Sequence, residues 1–294
     1  MRIGYFADGP WSHRALDKIL GDNNLSVDFI CARFDNPDPK LRKLALESGI
    51  PFLVHKNVNS LEFKEIVGVF KSDIFVSMSF NQIFKQDLIF MPQLGIINCH
   101  AGKLPYYRGR NVLNWALIND ESEFGITVHF VDGGIDTGDI VLQETFSIDD
   151  SDTYGSLLEK SFEHCAAILY KSLLGIASGT SERIPQKTID PIGFYCSQRQ
   201  EGDEDLDWNQ PSRAVFNFVR AISSPGPVAR TLVRGREVKI NKIDLIPGAL
   251  VKIGIPGAIV GKEASGLLVK TSDSFVRVVD FTSEVSLRVG DRFQ

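Results

Sequence analysis

Three polar side chains near the middle of the chain have the types and spacing of an acyl-transfer site. Asn98 and His100 stand two residues apart at the end of the apolar run LGIINCH, and Asp136 follows in VDGGIDTGD. Side chains alternate in an extended strand, so Asn98 and His100 point the same way and Cys99 points the other way. An amide, an imidazole and a carboxylate can together orient a base, move a proton and stabilise a developing oxyanion.

Each part of this pattern also has a purely structural explanation. A polar pair at a strand exit can cap the backbone groups of the following loop, and Asp-Thr-Gly occurs at ordinary turns. A nucleophilic pair of Cys99 and His100 is disfavoured, because the two side chains face opposite sides. The residues alone therefore leave both a catalytic and a structural role open.

Strands alternating with helices surround these residues and must position them. MRIGYFA, LSVDFICARF and DIFVSMSF are strand-like, whereas WSHRALDKILG and DPKLRKLALESG have helical spacing and end at glycine. The alternation predicts an α/β domain over residues 1–190, with a doubly wound, mostly parallel, Rossmann-like sheet closed by a hairpin and a long helix. Ligands of such sheets bind beyond the carboxyl ends of the strands, where Asn98 and His100 lie.

The pattern changes after residue 190. PSRAVFNFVRAISSPGP predicts a short helix, and short alternating strands broken by Gly and Pro continue from there to Gln294. We therefore expect residues 191–294 to form a linker helix and a small C-terminal β-barrel (OB-like) domain, since a barrel removes exposed strand edges.

The composition restricts the classes of function. The chain has a net charge of −5, 43% hydrophobic residues and four cysteines without a CxxC pair, which disfavours nucleic-acid binding, a zinc knuckle and a redox dithiol. Residues 226–294 hold 11 Lys or Arg and 7 Asp or Glu, a balance explained either by solvated surface or by an anionic ligand. No apolar run approaches ~18 residues and the N-terminus resembles no signal peptide, so we expect a cytoplasmic protein without membrane contact.

The order NCHAGKLPYYRG, then FGITVHFVDGGIDTG, resembles the catalytic signature of the folate-dependent formyltransferases, a family that includes the methionyl-tRNA and sugar-nucleotide enzymes. The resemblance implies N10-formyltetrahydrofolate as donor, no metal, and Asn98, His100 and Asp136 as catalytic residues. The family's usual HxSLLP is here HAGKLP, which leaves these residues intact but alters the loop wall facing the acceptor. FADGPW after the first strand lacks GxGxxG, so a nicotinamide cofactor is disfavoured.

Further site residues follow from the resemblance and from the chemistry of a nucleotide. Five residues would lie near the pterin of the folate: Met78, Phe80, Ile83, Val131 and Asp132. A nucleotide-linked substrate needs aromatic walls and cations for its diphosphate, for which the candidates are Trp11, Tyr107 and Tyr195, and Lys103, Arg108 and Arg199. Plain core packing for the apolar residues and a surface location for the others remain alternatives.

The sugar-nucleotide branch is the most similar, on DGPWSHRALDKIL, SFNQIF and FYCSQRQEGDEDLDW. It implies formylation of the exocyclic amine of a dTDP- or UDP-linked dideoxy-amino sugar for cell-surface polysaccharide (O-antigen or lipopolysaccharide) biosynthesis, by an enzyme expected to be a homodimer. A methionyl-tRNA formyltransferase is an alternative, although ARFDNPDPKLRKLA lacks the basic, glycine-rich insertion of that branch. A formyl-folate hydrolase and a folate-binding sensor are further alternatives, and the β-rich tail disfavours a glycinamide ribonucleotide enzyme.

Overall fold

A computed structural model describes the whole chain, residues 1–294. The chain forms two compact units, and neither is continuous in sequence. Unit 1 comprises Met1–Gly109, Phe124–Phe146 and Glu159–Cys196, and unit 2 comprises Arg110–Glu123, Ser147–Leu158 and Ser197–Gln294. A single division at residue 190 stays a prediction.

Unit 1 is built on a mixed sheet. The first nine strands of the chain are β1 (Arg2–Ala7), β2 (Ser26–Ala32), β3 (Phe52–Val54), β4 (Ile74–Met78), β5 (Ile96–His100), β6 (Arg108–Gly109), β7 (Glu123–Phe130), β8 (Ile140–Ser147) and β9 (Tyr195–Cys196). Seven of them form one sheet in the order β3-β2-β1-β4-β5-β7-β8, and β6 pairs with β9 separately. Strands from β3 to β5 are parallel to their neighbours, whereas β5 and β7 are antiparallel.

Seven α-helices connect and cover the strands. They are α1 (Gly9–Leu20), α2 (Pro39–Glu47), α3 (Leu61–Gly68), α4 (Gln86–Ile89), α5 (Val112–Ile118), α6 (Tyr154–Ser178) and α7 (Ser212–Ile222). Local signals begin several of them: Asp38 and Ser60 accept backbone N–H groups at the starts of α2 and α3, which satisfies donors that have no partner within the helix. None of these helices has both the length and the apolar composition that crossing a membrane requires.

An aromatic cluster supports the sheet below its carboxyl edge. Phe6 of β1 packs edge-to-face on a set of neighbouring rings, namely Phe29, Phe63, Phe75, Phe80 and Phe84. Phe80 and Val131 are only partly buried against this cluster. Phe80 follows β4 at the carboxyl edge, whereas Val131 follows the antiparallel β7 and donates its N–H to the carbonyl of Ile96, at the amino end of β5. The rigid core therefore extends to the edge where ligands of doubly wound sheets bind.

The predicted fold class is confirmed, with an α/β domain followed by an antiparallel β domain. The sequence did not indicate α4, α5 or the pairing of β6 with β9. The helix α5 begins after Asn111, whose backbone is left-handed with φ 55°. β6 and β9 have two residues each, too few for any periodicity to be visible.

Unit 2 contains an antiparallel five-stranded sheet. Its strands are β10 (Ala229–Val233), β11 (Arg236–Leu245), β12 (Ile259–Glu263), β13 (Gly266–Lys270) and β14 (Phe275–Ser283), in the order β10-β11-β14-β13-β12. The C-terminal residues connect its two edges: Gln294 exchanges backbone hydrogen bonds with Leu232 of β10, while Gly290 and Asp291 bond to Ile259 of β12. Both edge strands are thereby covered, which is the closure that a small barrel needs.

Phe293 holds this closing segment in place, and we expect Phe293→Ala to destabilise unit 2 strongly. Its ring is 1% exposed and stacks on Trp208 with ring centres 5.2 Å apart. Removing a buried phenylalanine side chain costs about 3–5 kcal/mol of unfolding free energy, measurable by urea unfolding followed through tryptophan fluorescence. Val289→Ala is the matched control, because Val289 lies in the same segment and is 59% exposed. Equal stabilities of the two variants would contradict the role of Phe293.

Candidate active site

The carboxyl end of β5 presents Asn98 and His100 on one side of the sheet. Both residues are partly exposed, whereas Cys99 between them is 8% exposed and its thiol lies 3.6 Å from the carbonyl oxygen of Cys165. The alternation of strand side chains thus removes Cys99 from the candidate site. In the neighbouring strand β7, His129 lies opposite Asn98.

The loop after β5 is anchored by Thr127 of β7. The Thr127 hydroxyl donates to the carbonyl oxygen of Gly102 at 2.7 Å and accepts from the side-chain amide of Gln143 at 2.8 Å. Gly102 lies against the His100 ring and the Tyr107 carbonyl, and a Cβ at this position would collide with both. This close approach explains the glycine that stands where the related motif has serine.

The same loop determines which nitrogen of His100 can exchange a proton. Nε2 lies 2.7 Å from the carbonyl oxygen of Tyr107. Because a carbonyl can only accept, Nε2 carries a hydrogen in both charge states of the ring. Nδ1 is therefore the nitrogen that can take up a proton, and it lies 3.8 Å from Oδ2 of Asp136. A proton gained at Nδ1 faces a carboxylate.

Asp136 lies in the tight loop after β7, in a left-handed backbone conformation with φ 54°. Its Oδ2 accepts the backbone N–H of Gly109 at 2.9 Å, and its Oδ1 lies 3.5 Å from Nε2 of His129. Burial raises the pKa of this carboxyl, but the charge of His100, the adjacent His129 ring and the Gly109 N–H together lower the pKa by more. Since the net pKa lies well below the usual range, Asp136 is ionised at neutral pH.

His129 is a site residue that the sequence reading missed. Its side chain is 2% exposed, and its Nδ1 lies 2.8 Å from the carbonyl oxygen of Phe130, so Nδ1 carries a hydrogen. Its Nε2 lies 3.3 Å from the amide nitrogen of Asn98 and 3.5 Å from Asp136. His129 therefore connects Asn98 to Asp136. The sequence signal for His129 was its position in the strand-like run GITVHF. Selecting it as a site residue required the register between β5 and β7, which the sequence does not give.

We expect the contribution of the Asp136 carboxylate to stability to be lost in acid. Its pKa is lower in the folded protein than in the unfolded chain, so the ionised group stabilises the fold above the unfolded value of about 3.9. That stabilisation declines as the pH falls through this value towards the folded pKa. Thermal unfolding should show wild type more stable than Asp136→Asn at neutral pH, with a difference that shrinks below about pH 4.

The control for this measurement is Glu182→Gln, which removes an exposed carboxylate from another part of unit 1. A difference between wild type and Asp136→Asn that stays constant from neutral pH into acid would contradict the charge interactions assigned to Asp136.

The five residues predicted for the folate pocket have three different environments. Phe80 and Val131 pack partly exposed against the same aromatic cluster. Asp132 and Ile83 face solvent, with Ile83 73% exposed. Met78 is 1% exposed within β4, so its side chain belongs to the core of the sheet and cannot form a wall of an open pocket.

The residues predicted to contact a nucleotide sugar also differ in environment. Trp11 packs edge-to-face on Phe162 with ring centres 4.8 Å apart, and Tyr195 is 49% exposed. Lys103 is partly buried and its side chain passes directly over Gly125. Tyr107 contributes its backbone carbonyl to His100, as described above.

Arg108 and Arg199 do not fit the predicted role of phosphate contacts. Arg108 is 7% exposed, and its guanidinium bonds to the side chain of Gln186 and the carbonyl of Ile192. The Arg199 side chain is 7% exposed in unit 2, where it donates to the carbonyl of Asp203 and pairs with Glu204. A buried guanidinium needs such internal partners, so neither group is presented to a ligand.

The fold and site together define a class of protein: a two-domain group transferase with a Rossmann-like domain and an antiparallel β domain. Residues 1–173 match the model of the formyl transferase family, and residues 199–286 match the model of the formyl transferase C-terminal domain. The chain is 32% identical to a methionyl-tRNA formyltransferase of Staphylococcus aureus over 236 residues, which cover 80% of this chain and 74% of that protein. This chain therefore belongs to the formyl transferase family.

Solved structures share the fold over nearly the whole chain. An N-formyltransferase from Helicobacter canadensis, in complex with folinic acid and dTDP-3-aminofucose, superimposes with a TM-score of 0.74 at 21% identity, covering 96% of this chain and 99% of that one. A sugar 3N-formyl transferase crystallised with dTDP and 5-N-formyl-THF has a TM-score of 0.69 at 21% identity, covering 98% and 99%. At these identities the likeness establishes the fold alone.

Proposed function

We propose that this formyl transferase moves a formyl group from N10-formyltetrahydrofolate to the exocyclic amine of a dTDP- or UDP-linked dideoxy-amino sugar. The two sugar N-formyltransferases described above support the proposal, because they match this chain from end to end and bind a folate together with dTDP or a dTDP-sugar. The observation that carries the choice of acceptor is the short, acidic connection between β2 and α2.

That connection offers no cation to a nucleic-acid backbone. Its six residues, 33–38, hold one arginine and two aspartates. Arg33 donates to Asp35 at 2.7 Å and pairs with Asp8 at 3.3 Å, while Asp38 caps α2. Contacts to phosphates dominate the affinity of proteins for nucleic acids. A neutralised arginine and two carboxylates at this edge of the sheet favour a small acceptor over a tRNA.

The basic residues of unit 2 give little support for a tRNA surface. Arg230 lies 3.2 Å from Asp205 and Arg277 lies 3.2 Å from Glu263. Other pairs of this kind join Arg234 to Asp291, Lys239 to Glu237 and Lys242 to Asp244. Carboxylates of unit 2 thus pair with several of the basic residues that give residues 226–294 their positive balance.

A methionyl-tRNA acceptor is the second candidate, because the methionyl-tRNA formyltransferases of Staphylococcus aureus are 32% identical to this chain. Such an enzyme would use the same catalytic residues with a much larger substrate. The two candidates differ in their dependence on salt, since each phosphate contact to a nucleic acid releases counterions.

The proposed mechanism assigns a separate task to each of three residues. The amide nitrogen of Asn98 donates to the formyl oxygen as negative charge develops there. Nδ1 of His100 takes the proton that the attacking amine loses, while Nε2 stays bonded to the Tyr107 carbonyl. The same proton would pass to N10 of the folate as the bond between N10 and the formyl carbon breaks, so that tetrahydrofolate leaves as a neutral amine. The carboxylate of Asp136, held by Gly109, faces the proton gained at Nδ1.

The residues near this site fit a pterin. The partly exposed side chains of Phe80 and Val131 offer apolar faces, and the exposed residues 132–135 directly follow Val131. A flat ring with polar edges requires this combination of an apolar wall and nearby backbone donors and acceptors. A formyl-folate held there would supply an activated formyl carbon to the amine.

An assay with defined acceptors tests the proposal. The purified protein is incubated with N10-formyltetrahydrofolate alone, with dTDP- and UDP-linked amino sugars, and with methionyl-tRNA. We expect turnover only with an amino-sugar nucleotide, at a rate that depends weakly on salt. Turnover confined to methionyl-tRNA and steeply reduced by salt would replace the sugar acceptor with the second candidate, and formate release without acceptor would indicate a hydrolase.

We further propose that the enzyme acts in the cytoplasm as a homodimer and that its product enters cell-surface polysaccharide synthesis. Light scattering of the purified protein tests the homodimer, since a mass near 32.7 kDa would mean a monomer.

A further inference from the structure

A buried amide is attached to the backbone of the Asp136 loop. Gln186 is 3% exposed, and its Nε2 donates to the carbonyl oxygens of Asp136 and Gly138, both at 2.8 Å. Its Oε1 accepts from Nε and Nη2 of Arg108 at 3.0 and 2.7 Å. Every hydrogen-bonding position of the amide is therefore used. In the flipped orientation, the amide nitrogen would face the donors of Arg108 and the amide oxygen would face the two backbone carbonyls. The hydrogen-bond network therefore fixes the orientation of the Gln186 amide.

All three guanidinium nitrogens of Arg108 donate hydrogen bonds to protein acceptors. Its remaining nitrogen, Nη1, donates to the carbonyl of Ile192 at 3.2 Å, and its guanidinium stacks over the ring of Tyr195 at 5.3 Å. Gly193, with φ 67°, leaves the space that the guanidinium occupies, because a Cβ there would contact Nη1. The pair of bonds from a charged guanidinium to Gln186 is stronger than a contact between neutral groups.

The Asp136 loop needs such support. A residue other than glycine in the left-handed region costs on the order of 1 kcal/mol or more and persists only where its surroundings determine it. Gln186 bonds both carbonyls of the turn formed by Asp136 and Gly138. Rotation of this turn would carry the Asp136 carboxylate away from the two imidazoles.

Three consecutive residues link the network to both partners of the catalytic pair. The carbonyl of Tyr107 bonds Nε2 of His100, and the N–H of Gly109 bonds the Asp136 carboxylate. Arg108 stands between them, and its side chain runs to Gln186. The position of Arg108 thus determines where the flanking carbonyl and N–H groups point.

We propose that Arg108 and Gln186 are positioning residues that set the geometry of His100 and Asp136 without touching either substrate. This assignment rests on the proposed function and replaces the predicted role of Arg108 as a phosphate contact. The two residues hold the backbone on both sides of the pair, through the Asp136 loop and through residues 107–109.

The test uses near-isosteric substitutions and a double-mutant cycle. Gln186→Glu sets a carboxylate oxygen against two carbonyls while keeping an acceptor for Arg108, and Arg108→Lys removes the two-pronged bond while keeping the charge. We expect either change to lower kcat by roughly 10- to 100-fold, the effect of a small misplacement of catalytic groups, with KM for both substrates nearly unchanged. Gln93→Glu, at an exposed position of unit 1, is the control, and circular dichroism with thermal unfolding verifies the fold.

The cycle combines each substitution with Asp136→Asn and measures single-turnover rates. If Gln186 and Arg108 act through Asp136, they should cause little further loss in the Asp136→Asn background. Fully multiplicative losses, or a raised KM at unchanged kcat, would overturn the proposal. A fully active Asp136→Asn enzyme would also overturn it, whereas a wild-type protein that transfers no formyl group to an amino-sugar nucleotide would refute the proposed function, so the two failures are distinguishable.

Discussion

His100→Ala is expected to lower kcat/KM for formyl transfer by roughly a thousand-fold or more, towards the upper end of the contribution of a general acid or base. The tautomer imposed by the Tyr107 carbonyl leaves Nδ1 as the proton acceptor, and this nitrogen lies 3.8 Å from the ionised Asp136. The smaller side chain removes both the base and the positive charge that forms beside Asp136. Quenched-flow measurement of formyl transfer with the identified acceptor gives the rate.

The matched control for this variant is His55→Ala. His55 is bonded to the backbone of Asn57 and lies 3.5 Å from Glu62, outside the candidate site. The fold should survive His100→Ala, because the ring is partly exposed and contacts the Tyr107 carbonyl and Asp136. A His100→Ala enzyme that stays within about ten-fold of wild type would show that proton transfer does not depend on this imidazole.

Asn98→Ala is expected to lower kcat by roughly 10²- to 10³-fold while KM for the folate changes little. The loss of one donor to a developing oxyanion has this magnitude, because the donor acts mainly when the charge forms. One hydrogen of the Asn98 amide faces Nε2 of His129 at 3.3 Å, which orients the group and leaves the second hydrogen for the formyl oxygen.

Asn98→Asp distinguishes donation from packing. Aspartate has nearly the same shape but replaces the N–H donors with a negative oxygen, so this variant should be at least as impaired as Asn98→Ala. Substantial activity in Asn98→Asp would mean that the amide only fills space. Because residues of one catalytic unit act together, the losses from Asn98→Ala and His100→Ala should not multiply in the double variant.

Most elements of unit 1 could be predicted because the relevant signals are local. The runs MRIGYFA and LGIINCH became β1 and β5, and the long helix expected to close the domain became α6. Helical and extended periodicities repeat within a few residues, so they survive without knowledge of the neighbours. The short strands β6 and β9 and the helix α5 lacked such repeats.

The candidate site was predictable only in part. Asn98 and His100 could be placed on one side of β5 from alternation alone, but His129 could not be selected, because its proximity to Asn98 depends on the register between two strands. Burial corrected two other expectations: Met78 lies in the core, and Arg108 is enclosed by protein groups. A single sequence contains no direct measure of either.

The sequence by itself determined the types of chemistry available and the strand end that presents them, since both depend on residue identity and local alternation. The tertiary structure decided which groups face each other. Arg108 and Gln186 are 78 residues apart along the chain, yet they share two hydrogen bonds and support the Asp136 loop. Contacts at such separations arise only when the packing of the whole domain brings distant segments together, and the alignment of His100 with Asp136 depends on them.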